Sequence, residues 1–482
     1  MAVTIAAAAL LGGAALGSPA AVGSPTSNGD GGSGTQNFIV LAPKGNGVAA
    51  AIDRVRSMGG SVTARYDAIG VLIARSDRAD FATAVPGDGV QSAAATTGMG
   101  SRLNESATAE ATVATLAKSQ GDTGAAATDE PDWSKQWDMR AMDTARAHEV
   151  TAGSSDVVVG VLDSGIFSGH PDLTGQVDAS QSAGCLDGAP DTAPTAWQPT
   201  TSDHGTHVAG TIAAARNGVG MSGVAPGVRL AAVKVVNDDG LIYPEAAVCG
   251  FMWAAEHGFD VTNNSYFIDP WEFNCRNDVR QRPIWAAVHR AIQHATSKGV
   301  LTVASAGNSN EDMAHKLIDD GSPNDGSAPP EERLINGACV KLPAEAPGVV
   351  AVSATGPTGA KSFYSSYGLG VVDVAAPGGD SLVQGSEPNG RVYSTTWSRT
   401  SGAGWGYKQG TSMAGPHVAG LAALVRSVHP DINPNALTAA MQRSADAQEA
   451  RWAGRTTRRV TAVGARTAVA MPRTTASSAT AR

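Results

Sequence analysis

The chain has 482 residues, more than one hydrophobic core ordinarily holds, so a large domain with a smaller companion is expected and a single small module is excluded. Charged residues reach only 16% while glycine numbers 57, a balance that fits neither a disordered acidic chain nor a coiled coil. The net charge of −9 argues against an electrostatic footprint for a phosphate backbone, so no nucleic-acid partner is expected.

Residues 1–23 carry an apolar, Ala/Gly-rich stretch from Val3 to Leu16, broken by Gly12 and Gly13 and closed by Gly17 and Pro19. This is the pattern of a signal peptide, although a basic start is missing, and it points to secretion into the extracellular space. The stretch is too short to be a transmembrane segment, and no other segment is expected to span a bilayer. A Gly/Ser/Asn linker follows, and residues 37–100 then show apolar Phe38–Leu41, a helical run Val48–Met58 closed by Gly59-Gly60, alternation from Ser61 to Ile73, and a second helical run at Asp80–Val85. In outline this is β-α-β-β-α-β, a small α+β domain. Residues 101–130 lie in an Ala/Thr/Ser/Gly-rich linker, an accessible place to cut.

From residue 131 the texture changes. Val157–Leu162, Leu230–Val236, Val300–Ala304, Val349–Val352 and Val371–Ala375 are short, apolar and rich in β-branched residues, as parallel strands covered on both faces are. Tyr243–His257 and Ile284–Lys298 carry helical spacing between them. The expected fold class over residues 131–447 is therefore α/β, a doubly wound, mainly parallel sheet flanked by helices, with its site on the loops after the strands. Four cysteines, Cys185, Cys249, Cys275 and Cys339, allow three disulfide connectivities. Cys185–Cys249 with Cys275–Cys339 is the favoured one.

Polar residues interrupt the apolar pattern at four places. Asp163 ends the run Val157–Leu162; His204 and His207 stand in Asp203-His204-Gly205-Thr206-His207; Ser412 stands in Gly410-Thr411-Ser412-Met413-Ala414-Gly415-Pro416-His417, ahead of an apolar helix Val418–Val425 with Pro416 in its first turn; Asn308 follows Ser305-Ala306-Gly307. Singly, an Asp or a Ser at such a place is often only a cap. Together they answer a chemical need: a serine hydroxyl is a poor nucleophile until an imidazole takes its proton, and that imidazole needs an anion behind it. A side-chain amide beside them would supply a donor for a developing oxyanion. Metal ligation by His204 and His207 is the competing reading, but the Glu of HExxH is absent.

The order Asp, His, Ser and the four motifs resemble the subtilisin family of serine endopeptidases from about Trp133 to about Ala447. The resemblance implies that Asp163 orients His204, that His204 is the general base, that Ser412 is the nucleophile and that Asn308 helps hold the oxyanion, leaving His207 structural. It implies that Ser265 and Tyr266 belong to the strand that pairs with an extended substrate, with Ser305, Ala306 and Gly307 opposite, and Phe267 departs from a small residue in that pattern. It also implies a structural Ca²⁺ held by Asp172, Asn217 and the carbonyls of Ala215, Val219 and Met221, without an identifiable N-terminal ligand. The small domain resembles the inhibitory propeptide of such proteases, so a self-processing precursor acting on protein or peptide substrates, with its own propeptide as intramolecular inhibitor, is expected, and a monomer with it. Residues 448–482 depart from the family: this Arg/Thr/Ala-rich tail is expected to be disordered. A binding protein of the same fold without turnover is the alternative class.

Overall fold

A computed structural model describes residues 35–96, 112–113, 121–326, 328–383, 390–448, 451–452, 455–456 and 460–462. The expected signal peptide, most of the linker and most of the tail lie outside the described residues.

The small domain forms in the expected order: β1 (Gln36–Leu41), α1 (Val48–Ser57), β2 (Ser61–Tyr66), β3 (Val71–Ser76), α2 (Phe81–Ala84) and β4 (Ser92–Ala95). Its antiparallel sheet runs β2-β3-β1-β4. Because strand side chains alternate between faces, each strand serves two cores. Phe38, Val40, Leu72 and Ala74 pack with Val48, Val55, Phe81 and Val85 inside the domain. Ile39, Leu41, Val71 and Ile73 point the other way and join an apolar cluster of the large domain.

That large domain is built on seven parallel strands: β5 (Val158–Asp163), β6 (Ala183–Gly184), β7 (Arg229–Lys234), β8 (Val261–Asn264), β9 (Leu301–Ser305), β10 (Val349–Thr355) and β11 (Val374–Pro377), in the spatial order β6-β7-β5-β8-β9-β10-β11. The expected fold class is what forms. On one face lie α3 (His204–Ala213) and α6 (Thr411–Val428); on the other lie α4 (Pro244–Glu256) and α5 (Arg282–Ser297), against which the small domain sits. The amphipathic stripe of α5, Ile284, Ala287, Val288, Ala291, Ile292 and Ala295, faces inward at three- and four-residue spacing. After β5 the chain builds outward on one side, then returns to place β8 on the other. The crevice where strand order reverses therefore opens between the ends of β5 and β8, the place where such sheets bind ligands.

Both favoured disulfides are present, Cys185–Cys249 and Cys275–Cys339. A hairpin of β12 (Val392–Ser398) and β13 (Gly402–Lys408) packs on α3 and was not legible in its Gly/Ser/Thr-rich sequence. Helix α6 begins at Thr411, seven residues before the expected start, so Pro416 lies within it rather than in its first turn. Within the expected tail, Val460–Ala462 pairs with β11 through Ala375↔Ala462 and with Asp446–Gln448, so this piece extends the sheet.

Candidate active site

Asp163 is the last residue of β5, and its side chain is 1% exposed. A buried carboxylate must be satisfied by donors. Ser164 N–H donates to its Oδ1 at 2.7 Å, and the ring of His204 approaches Oδ1 at 2.8 Å and Oδ2 at 3.0 Å through Nδ1. A carboxylate only accepts, so Nδ1 carries the proton and Nε2 is left with a lone pair. His204 opens α3, and its side chain is 13% exposed, enough to meet solvent or substrate.

Ser412 is the second residue of α6 and half-buried. Its hydroxyl donates to the Ser265 carbonyl at 3.3 Å, just beyond β8. Pro416 has no N–H to give the Ser412 carbonyl four residues earlier. The hydroxyl of Ser265 donates to that carbonyl instead, at 3.0 Å, and is itself held by Asn263 Nδ2 at 2.9 Å. The proline thus frees an acceptor that fastens the expected substrate strand to the expected nucleophile.

Asn308 follows β9 by three residues. Its Oδ1 accepts from Thr411 N–H and from the Thr411 hydroxyl, both at 2.9 Å, so its orientation is set by the start of α6. A methyl placed on Gly410 would lie 3.6 Å from both Asn308 Nδ2 and Ser412 N, so the two nitrogens border one space. Two donors around one point can stabilise an oxyanion.

Ser305 and Ala306 are buried at the end of β9, Gly307 is half-exposed, and Tyr266 turns its hydroxyl inward to Asn264 Oδ1 at 3.0 Å. Phe267 is half-buried. His207 is fully buried; burial first, then Lys408 and His204, hold its pKa well below the ordinary value, which keeps the ring neutral in the packed interior.

The expected calcium residues converge. Asp172 is fully buried; its Oδ2 accepts from Met221 N–H at 3.0 Å and Trp405 Nε1–H at 2.7 Å, while Oδ1 is buried with no hydrogen-bond partner. Asn217 accepts from Val219 N–H at 3.0 Å. The sequence reading missed Glu130, which is 3% exposed and receives Gly218 N–H at 3.1 Å on both oxygens. Burial, and then the charges of Glu130 and Asp132, push the Asp172 pKa well above the carboxylate range, and burial raises that of Glu130. Asp172 with its orphaned buried oxygen, and Glu130 close enough to act on its charge, fit a hard divalent cation. The signal for Glu130 was the acidic run Asp129-Glu130-Pro131-Asp132 at the domain's start.

Comparison with known proteins gives this geometry a family. Residues 154–465 match the family model described as Subtilase family, a stretch that begins and ends later than the expected 131–447. Subtilisin BL of Lederbergia lenta is 34% identical over 297 residues, covering 61% of this chain and 85% of that protein. Fervidolysin of Fervidobacterium pennivorans is 30% identical over 310 residues, covering 62% of this chain and 38% of that protein. Among solved structures, the epidermin leader peptide processing serine protease of Staphylococcus aureus has a TM-score of 0.66 at 18% identity, covering 90% of this chain and 98% of that one. The nisin leader peptidase of Lactococcus lactis has a TM-score of 0.55 at 23% identity, covering 70% and 94%. At those identities the two structures speak for the fold alone. With the family model matched over most of the chain and the subtilisin relatives beside it, the chain belongs to the subtilase family and is a serine-type endopeptidase.

Proposed function

We propose that this chain is a secreted, self-processing serine endopeptidase in which Asp163, His204 and Ser412 form the catalytic triad. The observation that carries the reading is the buried Asp163 holding His204 by Nδ1 at 2.8 Å at the crevice of the sheet. Ser412 Oγ attacks the substrate carbonyl as His204 Nε2 takes its proton; Asp163 stabilises the imidazolium. Asn308 Nδ2 and Ser412 N–H receive the oxyanion. His204 then protonates the leaving amine, and water, deprotonated by the same ring, releases the acyl group from Ser412. The backbone at Ser265 and Tyr266 pairs with an extended peptide across from Ser305, Ala306 and Gly307.

Calcium is a structural ion in this reading, held by Asp172, Asn217, Glu130 and the carbonyls of Ala215, Val219 and Met221, and it neutralises acids that would otherwise repel. Chelation should lower the melting temperature of a Ser412→Ala chain by several degrees, and added Ca²⁺ should restore it.

The small domain is proposed as the inhibitory propeptide. Its support is the apolar face Ile39, Leu41, Val71 and Ile73 laid on the α4/α5 side, with Tyr66 donating to the Gly188 carbonyl at 2.6 Å and Asn37 to Glu245 at 2.9 Å. Among the described residues no helix is long and apolar enough to cross a membrane. A monomer acting on protein or peptide substrates is proposed. A serine-directed fluorophosphonate tests the centre: the wild-type chain should be labelled on Ser412 and the His204→Ala chain should not, while Ser412→Ala should accumulate as an uncleaved precursor. Equal labelling of wild type and His204→Ala would overturn the triad.

A further inference from the structure

Two walls stand beside Ser412: Ser265–Phe267 beyond β8, whose Ser265 carbonyl takes the Ser412 hydroxyl, and Ser305–Gly307 at the end of β9, whose Gly307 N–H donates to the Thr411 hydroxyl. The chain at Lys341-Leu342 reaches both. Ile268 N–H donates to the Leu342 carbonyl at 3.0 Å, which ties this chain to the first wall. The side chain of Lys341 runs against the second: a methyl on Gly307, whose φ of +111° already favours glycine, would sit 2.8 Å from Nζ and 3.5 Å from Cδ.

Lys341 is 2% exposed and bonds to Glu272 Oε1 at 2.8 Å and Glu311 Oε2 at 3.3 Å. Both acids are anchored to the turn that carries Asn308. The Ser309 hydroxyl donates to Glu272 at 3.1 Å; Glu311 N–H reaches the Ser366 hydroxyl at 3.4 Å, and Ser366 N–H donates to the Gly307 carbonyl at 2.9 Å. The neighbouring cation Lys316 is taken by Glu345. The cluster thus holds two carboxylates for one ammonium. The ammonium is sealed while each carboxylate is 21% exposed, so the side that meets solvent is the anionic one.

We propose that Glu272, Glu311 and Lys341 are specificity-determining residues of the pocket for the residue on the acyl side of the scissile bond, and that they select lysine or arginine there. The proposal rests on the triad reading above. Lys341 acts as the internal counter-ion that lets two like charges share the turn, and the open oxygens of both acids accept from an incoming ammonium or guanidinium. A large apolar side chain would strip water from those oxygens without replacing its hydrogen bonds, and an acidic one would meet like charge.

The self-processed enzyme is assayed on peptides that differ only at this residue: Arg, Lys, Ala, Leu, Phe and Glu. The Arg and Lys peptides should exceed the Leu and Phe peptides in kcat/KM by about tenfold or more, with Glu lowest, since one hydrogen bond to a charged group is worth about that factor. Glu272→Gln and Glu311→Gln should each cut the Arg-to-Phe ratio by about tenfold. The wild-type profile decides the matter even where a variant does not fold: Leu or Phe cleaved as well as Arg overturns the proposal. A uniform loss on all peptides in the Gln variants overturns it too. A chain labelled by fluorophosphonate that prefers apolar residues refutes the specificity alone, whereas a chain neither labelled nor active on any peptide refutes the proteolytic reading and this proposal with it.

Discussion

Asn308 is held by its oxygen and works, in the proposed mechanism, through its nitrogen. With Oδ1 occupied by the N–H and hydroxyl of Thr411, the amide cannot flip without losing both bonds, so the protons of Nδ2 keep facing the space bordered by Ser412 N. Replacing it with leucine removes a donor that matters most once the carbonyl oxygen is charged. Asn308→Leu should lower kcat by about 10²–10³ with KM nearly unchanged, measured in steady state on a peptide ester or amide. A proportionate rise in KM would mean that the amide binds ground state and transition state alike. Pro416 acts at the same scale by omission: the missing N–H leaves the Ser412 carbonyl to Ser265. His417, next in sequence, spends its two ring nitrogens on the Met413 carbonyl and on buried Asp138 and so belongs to packing.

Each proposed catalytic group sits where an element begins or ends: Asp163 at the end of β5, His204 at the start of α3, Ser412 at the start of α6, Asn308 just after β9. Rigid elements set the positions, while end residues keep backbone groups and side chains free for chemistry. The loop after β8 shows how such a segment is fastened. Asp269 accepts from Ile242 N–H at 2.6 Å and Asn324 Nδ2 at 2.7 Å, and its own N–H donates to the Ile242 carbonyl, locking the loop to the approach of α4. Burial, with neighbouring Asp325 adding, raises its pKa to about 7. A carboxyl whose pKa is higher folded than unfolded binds more protons in the fold, so its contribution is complete below about pH 4 and is lost as pH rises through 7. The loss is on the order of 4 kcal/mol. Asp269→Asn cannot titrate. Its thermal stability relative to the parent should therefore rise between pH 4 and 8, measured in a Ser412→Ala background to prevent self-digestion; a pH-independent difference would contradict the burial argument.

At the scale of the whole molecule, the small domain and the protease domain meet through cations as well as an apolar face: Arg75 of β3 reaches Asp187 at 2.9 Å from one side, and Arg290 answers from the other. Arg290 of α5 donates through Nη1 to the carbonyls of Ala42, Ile69 and Gly70, each at 3.1 Å, and through Nη2 to Gln91 at 3.0 Å. Three carbonyls converging on one guanidinium lose a charged donor together when it goes. Arg290→Met should weaken the hold of the small domain by roughly 2 kcal/mol or more. In the proposed precursor this appears as a shorter lag before activity develops, with the final kcat unchanged because Arg290 lies outside the site; an unaltered lag would show that the other contacts of the small domain suffice without it.

The sequence by itself determined the sheet-and-helix alternation and the order of the small domain, because those rest on local periodicity; it singled out Asp163, His204, Ser412 and Asn308 as polar residues breaking that pattern at element ends, while their proposed roles came through resemblance. It also determined that Asp172 and the Ala215–Met221 turn belong together, though only through resemblance. What it left out needed chain segments far apart to meet. Glu130 reaches the turn at Gly218 across 88 residues, and Lys341 reaches Glu272 across 69 and the wall at Gly307. Only tertiary structure decided these, because a charge is worth burying only where its counter-charge already stands, and no local pattern records where that is.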